Sequence, residues 1–176
     1  IVMIRKIYTL NDFLKEKFNE KIYKVSLDGG FTCPNRDGKV SKGGCIFCSE
    51  NGSGDFTATK LKSIHEQIEE QTDLVSKKYK GDKYIAYFQN FTNTYAEVSY
   101  LRKIFEEALS HEKIVGLAIA TRPDCLEDDV LELLAELNKK TFLWVELGLQ
   151  TVNDDVAKYF NRAYETQIYK EASEKL

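Results

Sequence analysis

Residues 22–54 read IYKVSLDGGFTCPNRDGKVSKGGCIFCSENGSG. The run Ile22 to Leu27 is rich in β-branched and aromatic residues and reads as a strand. It passes directly into a loop, Asp28 to Gly54, dominated by Gly, Asn, Asp, Lys and Ser. Such a loop resists regular structure unless something pins it. The loop holds three of the chain's four cysteines, Cys33, Cys45 and Cys48, spaced C-x11-C-x2-C. Cys45 and Cys48 flank only Ile46 and Phe47, so two thiolates can face one centre from a tight turn. A metal held by soft sulfur ligands would pin the loop. A loop leaving the C-terminal end of a strand is also where parallel α/β folds place their chemistry.

The rest of the chain alternates around this unit. Residues 10–19 read as a short helix with Leu10, Phe13, Leu14 and Phe18 on one face. Leu61, Ile64, Ile68, Val75 and Tyr79 fall at helical spacing, with Gly81 as a stop. Tyr84 to Gln89 reads as a second strand and Glu97 to Leu109 as an amphipathic helix. Val115 to Thr121 is nearly continuous in apolar residues, as a strand covered on both faces should be. Glu127 to Asn138 is a further helix and Phe142 to Leu149 a fourth strand. Residues 154–176 read as helical, with an interruption around Arg162 to Thr166 that splits them. Four successive βα units predict an α/β fold, a parallel sheet with outer helices, and one domain over residues 1–176. No repeat, low-complexity tract or linker divides it.

Composition narrows the function classes. The 176 residues are 43% hydrophobic, enough for one real core, and 30% charged with a net charge of −3. That balance is not the footprint of a basic nucleic-acid binder, although a local patch would escape it. No run of about 18 apolar residues predicts a membrane span. The opening residues are too few and too mixed for a signal peptide. Clustered cysteines without export signals predict the reducing cytoplasm and metal, not disulfides.

Spacing leaves alternatives open at the cysteines. A structural zinc site takes four protein ligands, and the candidates for a fourth are Cys125, His65 and His111. Cys125 lies 77 positions after Cys48, unlike finger or ribbon spacings. A three-cysteine iron–sulfur cluster leaves one iron open for a small molecule, the mark of a catalytic site. Buried thiols with no metal are the plainest reading. Spacing favours the cluster over zinc, and either over packing.

The strand, the Gly-rich loop and the Cys45-Ile46-Phe47-Cys48 ending resemble the radical S-adenosylmethionine (SAM) enzymes. The long first gap is similar to the branch of the elongator catalytic subunit and the YhcC-like proteins. Phe31-Thr32-Cys33-Pro34-Asn35-Arg36-Asp37-Gly38 followed by Gly43-Gly44-Cys45 resembles the YhcC-like proteins in particular. The resemblance implies a partial (β/α) barrel of six strands, of which about the first two thirds are covered, four βα units. Strand four then has an open edge, a liability that natural proteins cover, so remaining C-terminal strands or a partner are expected there. It further implies a [4Fe–4S] cluster on Cys33, Cys45 and Cys48. SAM would bind the open iron and be cleaved reductively, with hydrogen abstraction from a substrate. An electron donor such as flavodoxin or ferredoxin is implied, and the elongator likeness points to a modified uridine in tRNA. The rival from another class is a non-catalytic zinc- or RNA-binding module scaffolded by the same loop.

The strand ends supply the SAM-binding candidates. Phe47 is expected to pack near the adenine or cluster. Gln89 opens the run Gln89-Asn90-Phe91-Thr92-Asn93-Thr94-Tyr95, where radical SAM enzymes carry a Gly-Gly-Glu-like element that this chain lacks. An Asx-rich turn is the plain alternative. Arg122, in Thr121-Arg122-Pro123-Asp124, either forks onto a ligand carboxylate or pairs with Asp124 or a neighbour. Glu146 is a carboxylate in an apolar strand and needs a partner, protein or ligand; Gln150 follows it. Arg162, in an Asn-Arg pair where the branch continues Gly-His but this chain has Ala163-Tyr164, is expected either on the SAM carboxylate or exposed. Cys125 reads as a buried filler, His65 as surface, and His111 as a cation near a helix end.

Overall fold

A computed structural model describes residues 7–50, 52 and 62–176. Four strands, β1 (Tyr23–Leu27), β2 (Tyr84–Phe88), β3 (Ile114–Thr121) and β4 (Phe142–Leu147), form one parallel sheet in the order β1-β2-β3-β4. Sequential order with every neighbour parallel is the winding of a barrel wall. It brings all four C-terminal strand ends to one rim. Helices α2 (Ile64–Ser76), α3 (Val98–Leu109) and α4 (Asp128–Lys140) make the crossovers. The last helical stretch is split into α5 (Asp154–Tyr159) and α6 (Thr166–Lys175), as its interrupted pattern predicts.

Alternation along each strand sorts side chains between the two faces. Val25 and Leu27, Ala86 and Phe88, Leu117 and Ile119, with Leu143 and Val145, face the helix layer. There they meet Ile64 and Ile68 of α2, Leu101 and Phe105 of α3, and Leu133 and Leu137 of α4. Each such Leu, Ile or Phe contributes about 1.5–3 kcal/mol by leaving water. The opposite, concave face is apolar only at its lower end. Ile22, Ile85 and Ala118 are covered there by Leu14 of α1 (Leu10–Phe18), with Phe18, Phe142 and Trp144 against them. Helix α1 therefore plugs the bottom of the barrel wall. Its start is fixed by a capping box, with Thr9 Oγ1 accepting from the Asp12 amide and Asp12 answering the Thr9 amide.

Differences from the sequence reading are small and local. Leu10 and Phe13 stay exposed beside β4 while Leu14 is buried, because α1 covers only the floor. Strand β2 stops at Phe88 and β4 at Leu147, so Gln89 and Gly148 begin the loops. Helix α2 starts at Ile64 behind a Ser63 cap. Tyr79 lies beyond it and stacks on Tyr23, centroids 4.4 Å apart. Leu61, expected on this helix, lies outside the described residues. Among the described residues β4 pairs only with β3, and no helix is long and apolar enough to cross a membrane.

Candidate active site

The cysteine loop folds through its own backbone. The Cys33 carbonyl accepts from the amides of Arg36 (2.8 Å) and Asp37 (3.2 Å), the Asn35 carbonyl from Gly44 (2.8 Å), and the Cys45 carbonyl from Cys48 (3.0 Å). Arg36 props the interior: its guanidinium donates to the carbonyls of Glu50 (3.1 Å), Cys48 (3.2 Å) and Ser49. Gly44, just before Cys45, sits at φ +77 with Arg36 Nε 2.9 Å from where a Cβ would stand. Only glycine combines that backbone with so close an arginine.

At the rim of the sheet the loop walls a cavity of about 360 Å³. Cys33, Cys45, Cys48, Phe47, Gln89, Arg122, Glu146, Gln150 and Arg162 all line it, so the three cysteines and the residues selected as SAM contacts meet there. Phe91 and Gln150, which follow β2 and β4, both line it in the left-handed region, at φ +60 and +61. Such non-glycine strain costs on the order of 1 kcal/mol and gathers where a site over-determines the backbone. Cys125 does not line this cavity. It is buried beside Pro34 and Thr94 at a second one, and burial pushes its thiol up to about 12. His65 and His111 stand in a T-shaped pair near Glu69 and Glu107, outside the cavity lining. None of the three candidate fourth zinc ligands therefore lines the cysteine cavity.

The Cys45 and Cys48 thiols share a hydrogen bond. It lowers Cys48 to about 7, helped against burial by the charge of Arg36, and it raises Cys45. Asn35 Nδ2 donates to Cys45 Sγ at 3.4 Å. The thiolate is the nucleophile, so the reactivity of a lowered Cys48 is half-developed near pH 7, rises above it and is lost below it. In metal-free protein, alkylation of Cys48 followed by peptide mass spectrometry is expected to show a midpoint near 7. A midpoint near the ordinary ~8.5 of a free thiol would contradict this geometry.

The two arginines and the glutamate are already partnered. Arg122 forks onto Asp124, Nε to Oδ1 at 2.9 Å and Nη2 to Oδ2 at 2.6 Å, while Nη1 reaches the Arg162 carbonyl at 3.0 Å. Of the two readings of Arg122, the structure builds the Asp124 pair. Arg162 corrects both of its readings. It is neither exposed nor free to grip a ligand carboxylate, being 1% exposed with all five N–H groups spent inside the protein. Glu146 is held between Lys24 Nζ and the Tyr87 hydroxyl, the latter at 2.6 Å. Lys24 in turn lies over the rings of Tyr87 (4.1 Å) and Trp144 (4.3 Å). Burial first, and then the bond to Glu146, push the Tyr87 phenol well above its ordinary range.

Sequence reasoning missed Lys24, Tyr87, Arg36, Thr92 and Tyr164. Lys24 and Ser26 stand two apart in an otherwise apolar strand, a period-two signal for a polar inner face. Thr92 lines the cavity with its hydroxyl buried and without a hydrogen-bond partner among the described residues. Tyr164 stands where the expected histidine is absent. Its hydroxyl donates to the Gly148 carbonyl and its ring lies 4.9 Å from the Arg122 guanidinium.

The chain resembles several known proteins along nearly its whole length. It is 52% identical over 172 residues to the uncharacterized protein YtqA of Bacillus subtilis (strain 168), covering 98% of this chain and 53% of that protein. It is 41% identical over 162 residues to Protein YhcC of Escherichia coli (strain K12), covering 92% and 51%. It is 37% identical over 158 residues to the uncharacterized protein MJ0486 of Methanocaldococcus jannaschii, covering 87% and 47%. The chain thus spans about half the length of the curated relatives it matches. Residues 33–176, beginning at the first loop cysteine, match the Radical SAM superfamily. With the four parallel strands and the cysteine-walled cavity at their rim, the chain belongs to the radical SAM superfamily, in its YhcC-like branch.

Proposed function

We propose that this domain carries a radical SAM active site, with Cys33, Cys45 and Cys48 holding a [4Fe–4S] cluster and the rim cavity receiving SAM. The observation that supports this most is the placement of all three cysteines of one loop on the wall of the cavity that the four strand ends surround. Among the described residues no three His, Cys, Asp or Glu side chains stand as a ready metal centre, but the donor set has the right chemistry. Three soft thiols line one cavity, and amide and guanidinium donors attend Cys45 and Cys48. When bound, such a cluster supplies one electron for cleavage of SAM and leaves an iron open to it.

The chain's own residues bind, orient and exclude water. Glu146, oriented by Lys24 and Tyr87, presents a carboxylate edge toward hydroxyl or ammonium groups of SAM. Gln89, Gln150 and the buried Thr92 hydroxyl supply neutral polar contacts along the rim. Phe47, edge-on to Phe160 with centroids 5.3 Å apart, covers the cysteine side with apolar surface. Arg122 contributes charge, its fork being taken by Asp124. An external one-electron donor of the flavodoxin or ferredoxin kind completes this reading. Further strands along the open β4 edge, from the rest of a longer protein, would close the barrel. A tRNA uridine as substrate rests on the resemblance alone, and the net charge of −3 gives it no electrostatic support.

The test is anaerobic reconstitution of the full-length protein with iron and sulfide, followed by EPR of the reduced state with and without SAM. A brown protein whose signal changes on adding SAM is the expected result. A colourless protein that keeps one zinc and ignores SAM would overturn the proposal in favour of a zinc-pinned module.

A further inference from the structure

The two arms of the cysteine loop are anchored in different places. The Cys33 arm is tied to the rim of β2, where the Thr92 amide donates to the Thr32 carbonyl at 3.1 Å. The Cys45 arm is tied to the turn between α5 and α6, more than 110 residues away. Asn161 Nδ2 donates there to the carbonyls of Gly44 (2.8 Å) and Lys42 (3.4 Å), and its Oδ1 accepts from Ser41 Oγ at 3.3 Å. The Asn161 carbonyl accepts from Asn35 Nδ2 at 2.6 Å, and the same amide reaches Cys45 Sγ. One residue earlier, the Phe160 carbonyl accepts from the Ile46 amide at 3.1 Å.

This turn is stiff on its own account. Asn161 and Ala163 both sit in the left-handed region, at φ +58 and +62. Arg162 between them is fully buried and fully bonded, and its carbonyl is gripped by Arg122. A rigid turn that bonds to Ser41, Lys42, Gly44 and Ile46 fixes the arm on either side of Cys45. Asn161 itself does not line the cavity, so it acts through the loop.

We propose that Asn161 is a positioning residue for the cysteine centre, its side chain clamping the Cys45 arm to the α5–α6 turn and so setting where Cys45 stands in the cavity. The positioning role rests on the cluster reading above. The clamp itself is a property of the metal-free fold, which gives it a readout of its own. Asn tolerates the left-handed backbone and offers both a donor and an acceptor on a short side chain. Glycine would keep the backbone and lose every side-chain bond. Aspartate would keep the acceptor for Ser41 and lose the two donated bonds.

The experiment compares wild type with Asn161→Gly and Asn161→Asp in the full-length protein. The metal-free forms are alkylated with iodoacetamide at one fixed pH, and the rates at Cys45 and Cys33 are read by peptide mass spectrometry. The Cys45:Cys33 rate ratio is expected to rise about tenfold in both variants, the worth of one or two lost hydrogen bonds. Reconstituted variants are expected to lose iron to a chelator faster than wild type by a similar factor. A ratio unchanged in Asn161→Gly, with circular dichroism unaltered, overturns the clamp. A raised ratio with wild-type iron retention overturns the positioning role. Wild type that takes up no iron sinks the cluster reading, and the positioning role with it, while the alkylation ratio still reports on the clamp.

Discussion

In a Cys48→Ala protein, reconstituted iron is expected to fall from the proposed four or so per chain to below about one, while the thermal midpoint is expected to move by less than about 3 °C. The two halves of this result have separate causes. The turn at Cys48 is held by backbone groups: its amide donates to the Cys45 carbonyl at 3.0 Å, and its carbonyl accepts from Arg36 at 3.2 Å. Alanine keeps both. The thiol is only half-buried, so its loss leaves no sizeable void, and the cost stays within about 1 kcal/mol. Iron, on the proposed cluster reading, would have only the three cysteines of this loop as ligands, and two do not retain a cubane. Cys125→Ala is the matched control. That thiol is buried outside the cavity, so its removal is expected to cost some stability and no iron. Full iron with an unchanged spectrum in Cys48→Ala would mean that the metal is held elsewhere.

The sheet was legible because its signals are local. A period-two or continuous apolar run marks each strand, a 3.6-residue period marks each crossover helix, and their strict alternation leaves a parallel sheet as the simple topology. The candidate site was legible for a related reason. Parallel topology collects every strand's C-terminal end at one rim, so reading polar residues just past each apolar run picks out one cavity without knowing any distance. Partners were not legible. Lys24 and Glu146 are 122 residues apart and on the first and last strands. They meet only because the sheet curves enough for a lysine to reach across its concave face. The Arg122–Asp124 fork was legible as one of two options, since the sequence spacing permits it but cannot say that no ligand competes. Arg162 escaped both of its readings, ligand contact and exposed helix arginine, because an arginine at a break in a helix-like pattern shows no protein partner in the sequence. Its burial depends on the α5–α6 turn folding back over residues 149–154.

The concave face also shows what a lysine inside a barrel is for. An isolated charge there would be costly. Lys24 is shielded by two aromatic faces and closed by Glu146, while the other carboxylate oxygen takes the Tyr87 hydroxyl. The triad fixes the carboxylate where it lines the cavity, so the polar recognition proposed above would start from a preorganised group and not from a mobile side chain.

Arg162→Met is expected to lower stability by about 3–5 kcal/mol, the range for stripping one partner from a buried charged network. At roughly 2–4 °C per kcal/mol for a domain of this size, that is a fall of about 10 °C in the thermal midpoint. The guanidinium donates from Nε to the Tyr164 carbonyl (3.0 Å) and from Nη1 to the Leu149 (2.8 Å) and Thr151 (2.6 Å) carbonyls. From Nη2 it reaches Asp154 Oδ1 (2.8 Å) and Thr166 Oγ1 (3.2 Å). Methionine fills much of the volume and satisfies none of these acceptors. Lysine fares little better, because three donors on one tetrahedral nitrogen cannot serve five directions set by a planar fork. The measurement is thermal unfolding by circular dichroism beside SAM affinity in the reconstituted protein. A residue that only gripped the ligand would show the reverse pattern, a midpoint within about 2 °C of wild type and a large loss of SAM affinity. That pattern would put Arg162 back in the binding site. The expected one makes it the peg on which the α5–α6 turn hangs, and with that turn the arm that carries Cys45.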